Sequence, residues 1–315
     1  MRNPRPSSPT LLLALVLSAS CAAAAGARAI PDSEAAAWFP VGVREAGIIE
    51  AHRADLAPGI EYGYACCSSL FANTNDMHVV RIAVSNANVR PFIAEGAFME
   101  ELRDRISTTA ASAAKHKALF ATNGGFFRWE NRIPFYRMKL HGEILKSEAG
   151  GDFGLAFSED GAKVFVGRVP KTALDEWENF FAGEGFVIGG KVRIGGKVSE
   201  TVREKPEAPR TMFGMDADGS HLLLFVTGGR YAGTHRPAGL SYREGAELLA
   251  MFGCESGANI DGGGSSTLAV RADALPDAVI SPDAHPSATP GYVILNCPSD
   301  GSERAVLDHL LFLER

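Results

Sequence analysis

Residues 210–229 read "RTMFGMDADGSHLLLFVTGG", two apolar runs joined through an Asp-Gly step. Such a step tolerates the positive φ angles of a tight hairpin, so the stretch reads as strand, turn and returning strand. Residues 153–167, "FGLAFSEDGAKVFVG", repeat the same grammar. Upstream, Val79, Arg81 and Ala83 alternate with Val80, Ile82 and Val84 within residues 77–86, the period of a pleated strand. Residues 118–122, "ALFAT", form a short apolar strand that stops at Asn123-Gly124-Gly125. Residues 99–117 are rich in alanine and lack Gly and Pro, which predicts a helix. A second helix is expected over 241–253: Ser241 and Glu244 make a capping box, Ala246, Leu249, Ala250 and Phe252 an apolar face, and Gly253 a C-terminal cap. "GANI" (257–260), "STLAVRA" (266–272) and "GYVILNC" (291–297) add strands, while residues 30–60 read as loop-rich. The expected fold class is α/β in a mixed, α+β-like sense. It is a single domain with a largely antiparallel twisted sheet and flanking helices.

The 315 residues are 46% hydrophobic and 22% charged, enough apolar material for a sizeable core. Arg2 and Arg5 precede the apolar run Leu11–Ala19, and small residues follow up to Ala27-Arg28-Ala29. That order describes an export signal over residues 1–29, with cleavage after Ala29. The run is shorter than the roughly 20 residues a bilayer span needs. A lipid anchor on Cys21 is the rival, disfavoured by Ser18 where such signals carry Leu. Loss of the leader removes three arginines and no acids, taking the net charge from −6 to −9. An acidic chain without a basic run is no nucleic-acid binder. Cys66, Cys67, Cys254 and Cys297 remain after processing. Neighbouring cysteines rarely bond to each other, so any disulfide is expected to tie the 66–67 region to the C-terminal part. Cys254 also reads as a small buried apolar residue. No Cys/His spacing fits a zinc site.

Four stretches place glycine beside polar groups at strand ends: "ATNGGFF" (121–127), "APRTMFGMDADG" (208–219), "VTGGR" (226–230) and "NIDGGGSSTL" (259–268). Strand-end loops are where rigid scaffolds carry chemistry. Asn123-Gly124 also suits a plain hairpin, and Arg210 and Arg230 could be solvated surface cations. Three glycines in succession exceed the needs of a turn and suggest close approach of backbone to a ligand or to another segment. Two guanidinium forks suit an anion such as phosphate, with the Gly262 and Gly263 amides and the Ser265 and Ser266 hydroxyls as further donors. Asp261 could orient water, hold a sugar hydroxyl or attack an anomeric carbon. His141 and His235 lie near these stretches, where a loop histidine reads as hydrated rather than catalytic. Neither a G-x-S-x-G nucleophile nor a phosphate loop occurs.

In order, "NGGFF", "PRT", "GGR", the 241–253 helix and "ANIDGGGSSTL" resemble the phosphodiester glycosidase family. The resemblance runs from about Val79 to the C-terminus. With the export signal over 1–29, it leaves an N-terminal extension (30–75) and a glycosidase-like domain (76–315). It implies hydrolysis of a sugar-1-phosphodiester, with catalytic Asp261, Asn123 and Arg210. Substrate would be bound by Gly124, Thr211, Arg230, Gly262, Gly263, Ser265 and Ser266, and Glu247 matches the acid of the family's helix. On this reading Asp261 is base or nucleophile, Arg210 and Arg230 hold phosphate, and Asn123 orients substrate. The partner would be a sugar-phosphate or glycan. The sequence requires no cofactor, and a divalent cation is compatible with the family. The chain departs from the family at Gly228, where an Asp usually stands. Alternative readings are a non-catalytic envelope protein binding glycans, with Trp129 and Tyr136 as aromatic contacts, and an exopolysaccharide assembly or turnover factor.

Overall fold

A computed structural model describes residues 28–30, 32–85, 88–94, 96, 101–145, 147, 149–193 and 206–315. The expected export signal lies outside these, except for Arg28 and Ala29 in a short edge strand. No helix among the described residues is long and apolar enough to cross a membrane. Strand accounts for 43% of the described residues and helix for 17%, so the molecule is more sheet-dominated than a balanced α/β protein. Every strand pairing among the described residues is antiparallel.

The hairpin that opened the sequence reading is central. Arg210–Asp216 and His221–Thr227 pair in register from Arg210↔Thr227 to Met215↔Leu222, with Gly219 at φ 71° in the turn. In the nine-stranded sheet they are flanked by Cys254–Asn259 on one side and Asn73–Ala83 on the other. Both faces of this sheet are buried, and strand alternation sorts the side chains between them. Leu222, Leu224, Val226, Phe213 and Met215 face a central core shared with the other sheets. Leu223, Phe225 and Met212 face the Tyr242–Met251 helix. That explains why "HLLLFVT" is continuously apolar rather than alternating. The helix starts as the sequence predicts, with both halves of the Ser241/Glu244 capping box formed.

A six-stranded sheet places Ala118–Asn123 between Leu268–Arg271 and His309–Glu314. Phe120 stacks on Phe312 across that last pairing at 4.6 Å. A five-stranded sheet containing Phe153–Phe157 and Asn179–Ala182 contributes Phe181 against Phe213.

Three expectations change. Residues 30–60 hold helices Asp32–Trp38 and Val41–Glu45 and the ten-residue strand Ile48–Ala57, which pairs with Ile60–Leu70 in the large sheet. The helix expected over 99–117 is restricted to Thr109–His116, capped by Thr108, after a 3-10 turn at Leu102–Arg105. Thr108 prefers capping to helix interior, which splits the segment. No disulfide ties the 66–67 region to the C-terminal part: all four cysteines are free. Cys66 packs into the central core and Cys67 into the helix-side core, because successive strand residues point to opposite faces.

Ser241→Ala removes the acceptor for the Glu244 N–H and is expected to cost about 1 kcal/mol, read as a lower urea midpoint at unchanged m-value.

Candidate active site

The three strand ends meet where the nine- and six-stranded sheets join. The Ile260 N–H donates to the Thr211 carbonyl at 2.9 Å, and the Asp261 N–H to the Gly124 carbonyl at 3.2 Å. Gly124 in turn donates to the Asp308 carbonyl at 2.8 Å. Asn123 closes the junction. Its carboxamide nitrogen donates to the carbonyls of Asp261 (2.8 Å) and Gly124 (3.2 Å). Its oxygen accepts from the Thr211 hydroxyl (2.7 Å) and the Thr267 amide (3.3 Å). Ser266 Oγ lies 3.2 Å from Thr211 Oγ1. Asn123, Thr211, Ser265 and Ser266 are all buried, whereas Asp261 and Gly262 are partly exposed. Asp261 is therefore the more accessible acid of the junction and Asn123 the buried clamp on its backbone.

Each glycine of the triplet faces a different neighbour. A Cβ on Gly262 would stand 2.7 Å from the Pro209 carbonyl. Gly263, at φ 63°, lets the Arg230 guanidinium approach to 3.0 Å of that position. A Cβ on Gly264 would overlap both Arg304 and Asp300. The bare backbone is what allows two arginines to converge on it. Arg304 Nε donates to Asp300 at 2.9 Å, and another of its nitrogens lies 3.4 Å from Ser265 Oγ. Arg230 is exposed and, with Tyr231, adopts left-handed backbone (φ 56° and 59°), a strained state for side chains of this size.

Arg210 is placed differently from Arg230. Its Nε donates to the Leu240 carbonyl at 2.7 Å and a terminal nitrogen to the Pro206 carbonyl at 3.1 Å. The guanidinium also stacks 4.6 Å from the Tyr242 ring centroid. Burial pushes its pKa down to about 10. One edge of its fork is committed to the protein's own backbone. Glu247 lies half-buried on the Tyr242–Met251 helix. His141 pairs with Glu159 at 2.8 Å, and His235 with Glu50 at 2.6 Å. Trp129 is exposed beneath the Arg132 guanidinium, and the Tyr136 hydroxyl donates to Glu184.

The space at Gly228 is not vacant. Asp76, on the Asn73–Ala83 strand, accepts the Gly228 N–H at 2.5 Å. Its two carboxylate oxygens lie 2.5 and 2.7 Å from where a Cβ on Gly228 would be. A carboxylate thus occupies the place of a residue-228 side chain, supplied from another strand.

Two residues of the junction escaped the sequence reading, Arg304 and Asp308, both in "SERAVLDHLLFLE" (302–314). No glycine marks that stretch. The available signal was an acid at the threshold of an otherwise apolar terminal strand. Burial pushes Asp261 up to about 6, against Ser265, the Gly262 amide and Arg304, which lower it. Burial likewise pushes Asp308 up to about 7. No group of three or more His, Cys, Asp or Glu among the described residues is arranged to hold a metal ion.

With this geometry in hand, similarity to known proteins can be placed. A family model described as phosphodiester glycosidase matches residues 116–313. The chain belongs to the phosphodiester glycosidase family. The match takes in Asn123, the 210–230 hairpin, the triple glycine, Arg304 and Asp308. Among solved structures, the zebrafish N-acetylglucosamine-1-phosphodiester alpha-N-acetylglucosaminidase catalytic domain, auto-inhibited by its pro-peptide, superposes with a TM-score of 0.59 at 19% identity. That likeness covers 82% of this chain and 85% of that one. A protein from Synechocystis superposes with a TM-score of 0.60 at 14% identity, covering 82% of this chain and 63% of that one. At these identities the likenesses speak for the fold alone. No curated protein matched the sequence.

Two outcomes are expected. Gly228→Asp sets a second acid against Asp76 in filled space and should lower stability by about 2–4 kcal/mol in urea titrations, a loss relieved by adding Asp76→Gly. An acid whose folded pKa is raised costs stability as pH climbs from its unfolded value near 4 to its folded value. Asp261→Asn should therefore match wild type at pH 4 and exceed it by up to about 2 kcal/mol at pH 8, measured by thermal melts at both pH values.

Proposed function

We propose that this chain is an exported hydrolase that cleaves a sugar-1-phosphodiester, in a glycan or an envelope polysaccharide, at the bond between anomeric carbon and phosphate oxygen. The observation that carries the reading is the convergence of Arg230 and Arg304 on the Gly263–Ser265 backbone beside partly exposed Asp261. A phosphodiester carries one negative charge and presents planar pairs of oxygens, which guanidinium forks match. A carboxylate next to that anion suits a water molecule or the anomeric carbon, where positive charge develops in the transition state. The leader at residues 1–29 supports export, and membership of the phosphodiester glycosidase family supports the reaction class.

Roles follow from the contacts. Arg230 holds the phosphate, with Arg304 as the second cation in place of Arg210. Arg210 anchors the entry of its strand to Leu240 and Pro206. Asp261 acts as base toward water or as nucleophile. Asn123, with Thr211 and Ser266, fixes the backbone that carries Asp261. Gly124, Gly262 and Gly263 keep that backbone close enough for Arg230 to reach the anion, and Ser265 steadies the Asp261 carboxylate.

The test is hydrolysis of a methyl diester of a sugar 1-phosphate, followed by release of reducing sugar. Asp261→Asn is expected to lower kcat/KM on the order of 10³-fold, and Arg230→Ala to raise KM about tenfold with a smaller change in kcat. Wild-type turnover no faster than that of Asp261→Asn would leave a glycan-binding protein instead.

A further inference from the structure

We propose that Asp283 is a positioning residue of this site, one that pins the tip of the strap 228–239 and so aims Arg230 at the phosphate. This inference rests on the reading of Arg230 as the group that holds that anion. Arg210 is bonded to the Leu240 and Pro206 carbonyls, and Arg304 to Asp300. The Arg230 guanidinium is exposed, lies against Gly263, and makes no hydrogen bond or ion pair to a described residue. No partner fixes the fork from outside, so its reach over the triple glycine is set by the backbone that carries it.

That backbone is strained. Arg230, Tyr231 and Arg236 are all left-handed, at φ 56°, 59° and 50°. Non-glycine residues stay in that region where the surroundings over-determine them. The strap is tied at both ends. At its foot the Gly228, Ala238 and Gly239 N–H groups donate to Asp76 Oδ1 (2.5 Å), the Thr74 carbonyl (2.9 Å) and Asn75 Oδ1 (2.9 Å), three consecutive residues of the Asn73–Ala83 strand. Midway it closes on itself, the Arg230 and Tyr231 N–H groups donating to the Ala238 (3.0 Å) and Pro237 (2.8 Å) carbonyls. At its tip Thr234 donates both its backbone N–H and its hydroxyl to Asp283 Oδ1, each at 2.7 Å. Gly233, at φ 94°, makes room for the other oxygen: a Cβ there would stand 2.6 Å from Asp283 Oδ2. His235, next along the strap, lies 2.6 Å from Glu50 Oε2.

Foot and tip serve different ends. Asn75 and Asp76 are buried in the large sheet, so the foot belongs to the fold. Thr234 is exposed and Asp283 half-buried, so water would serve both groups if they parted. What their tie fixes is the path of the chain just beyond Arg230. With the tip released, the turns closed by Ala232 N–H to the Gly229 carbonyl and Arg236 N–H to the Gly233 carbonyl have one anchor fewer. Asp283 acts here as an acceptor: both groups it receives from Thr234 are neutral donors, so an oxygen in that place matters more than its charge. The consequence falls on binding rather than on chemistry. An arginine already in place when substrate arrives loses none of its binding free energy to ordering the strap.

Asp283→Ala deletes the acceptor, and Asp283→Asn keeps an oxygen in its place. With the methyl diester of a sugar 1-phosphate, Asp283→Ala is expected to raise KM about fivefold at nearly unchanged kcat, and Asp283→Asn to stay within about twofold of wild type. Added to Arg230→Ala, Asp283→Ala is expected to change KM by less than about twofold, because the arginine it aims is gone. A wild-type KM in Asp283→Ala, or the full rise persisting in the Arg230→Ala background, would overturn the proposal. Thr234→Val removes one of the two bonds and leaves the carboxylate in place. It carries the same comparison should Asp283→Ala not fold, with an expected KM rise of about twofold, and no rise would overturn the proposal. Calorimetric titration with inorganic phosphate reads the placement without turnover. Weaker phosphate binding by both Asp283→Ala and Arg230→Ala supports it, and weakening by Arg230→Ala alone refutes it. Weakening by both variants with no hydrolysis by wild type would sink the functional reading while leaving the positioning role standing. Neither hydrolysis nor phosphate binding by wild type would overturn both.

Discussion

Asn123 has one carboxamide, and both ends of it are spent. Its nitrogen holds the Asp261 and Gly124 carbonyls and its oxygen takes the Thr211 hydroxyl and Thr267 amide. With 0% of its surface exposed, any unsatisfied end would carry the full desolvation cost of a buried polar group. The two large sheets are stitched at this point, and everything polar at the junction is placed relative to it. An Asp at position 123 could not donate to the two carbonyls, and a Leu could replace none of the four bonds. The clamp is also why partly exposed Asp261 can be held steady on a segment with three glycines in a row, which alone would be a flexible one.

The junction concentrates electrostatic cost. Asp76, Asp261 and Asp308 are all pushed upward by burial, while His78 and His309 are pushed down to about 3. The acids favour the fold as pH falls through their raised values, and the histidines favour it as pH rises toward their unfolded value. The two tendencies oppose each other over the same window between roughly pH 4 and 7. Sites that hold ionisable groups away from water generally give up stability for reactivity. The apolar cores on both faces of the nine-stranded sheet are what let this chain carry that cost.

Much of the frame was legible in the sequence because its signals are local. Asp-Gly turns, the Ser241/Glu244 box and the alternation around Val79 each depend on a few neighbouring residues, and each produced the element expected. The 30–60 segment was not legible, because the Ile48–Ala57 strand draws its order from pairing with residues 60–70 rather than from its own period. Thr108 cut the 99–117 helix short for the opposite reason, a local cap outweighing a permissive composition. In the site, glycine-rich ends drew attention to Asp261 and Arg230. Arg304 and Asp308 carry no such flag, since their importance comes from lying against glycines far away in sequence, Gly264 and Gly124. The contact between Asp76 and Gly228 is likewise invisible along the chain, because only the fold brings the two strands together.

The buried thiols have a consequence for the chain's traffic. Burial pushes Cys66 and Cys254 up to about 12 and Cys67 up to about 11. Thiolate is the species that attacks a disulfide, and at neutral pH each of these groups holds on the order of one part in ten thousand of it or less. Once folded, these three are nearly inert to oxidants and exchange partners. Mispairing is then a hazard only of the unfolded chain, so the speed of folding rather than the chemistry of the compartment decides whether these sulfurs stay reduced.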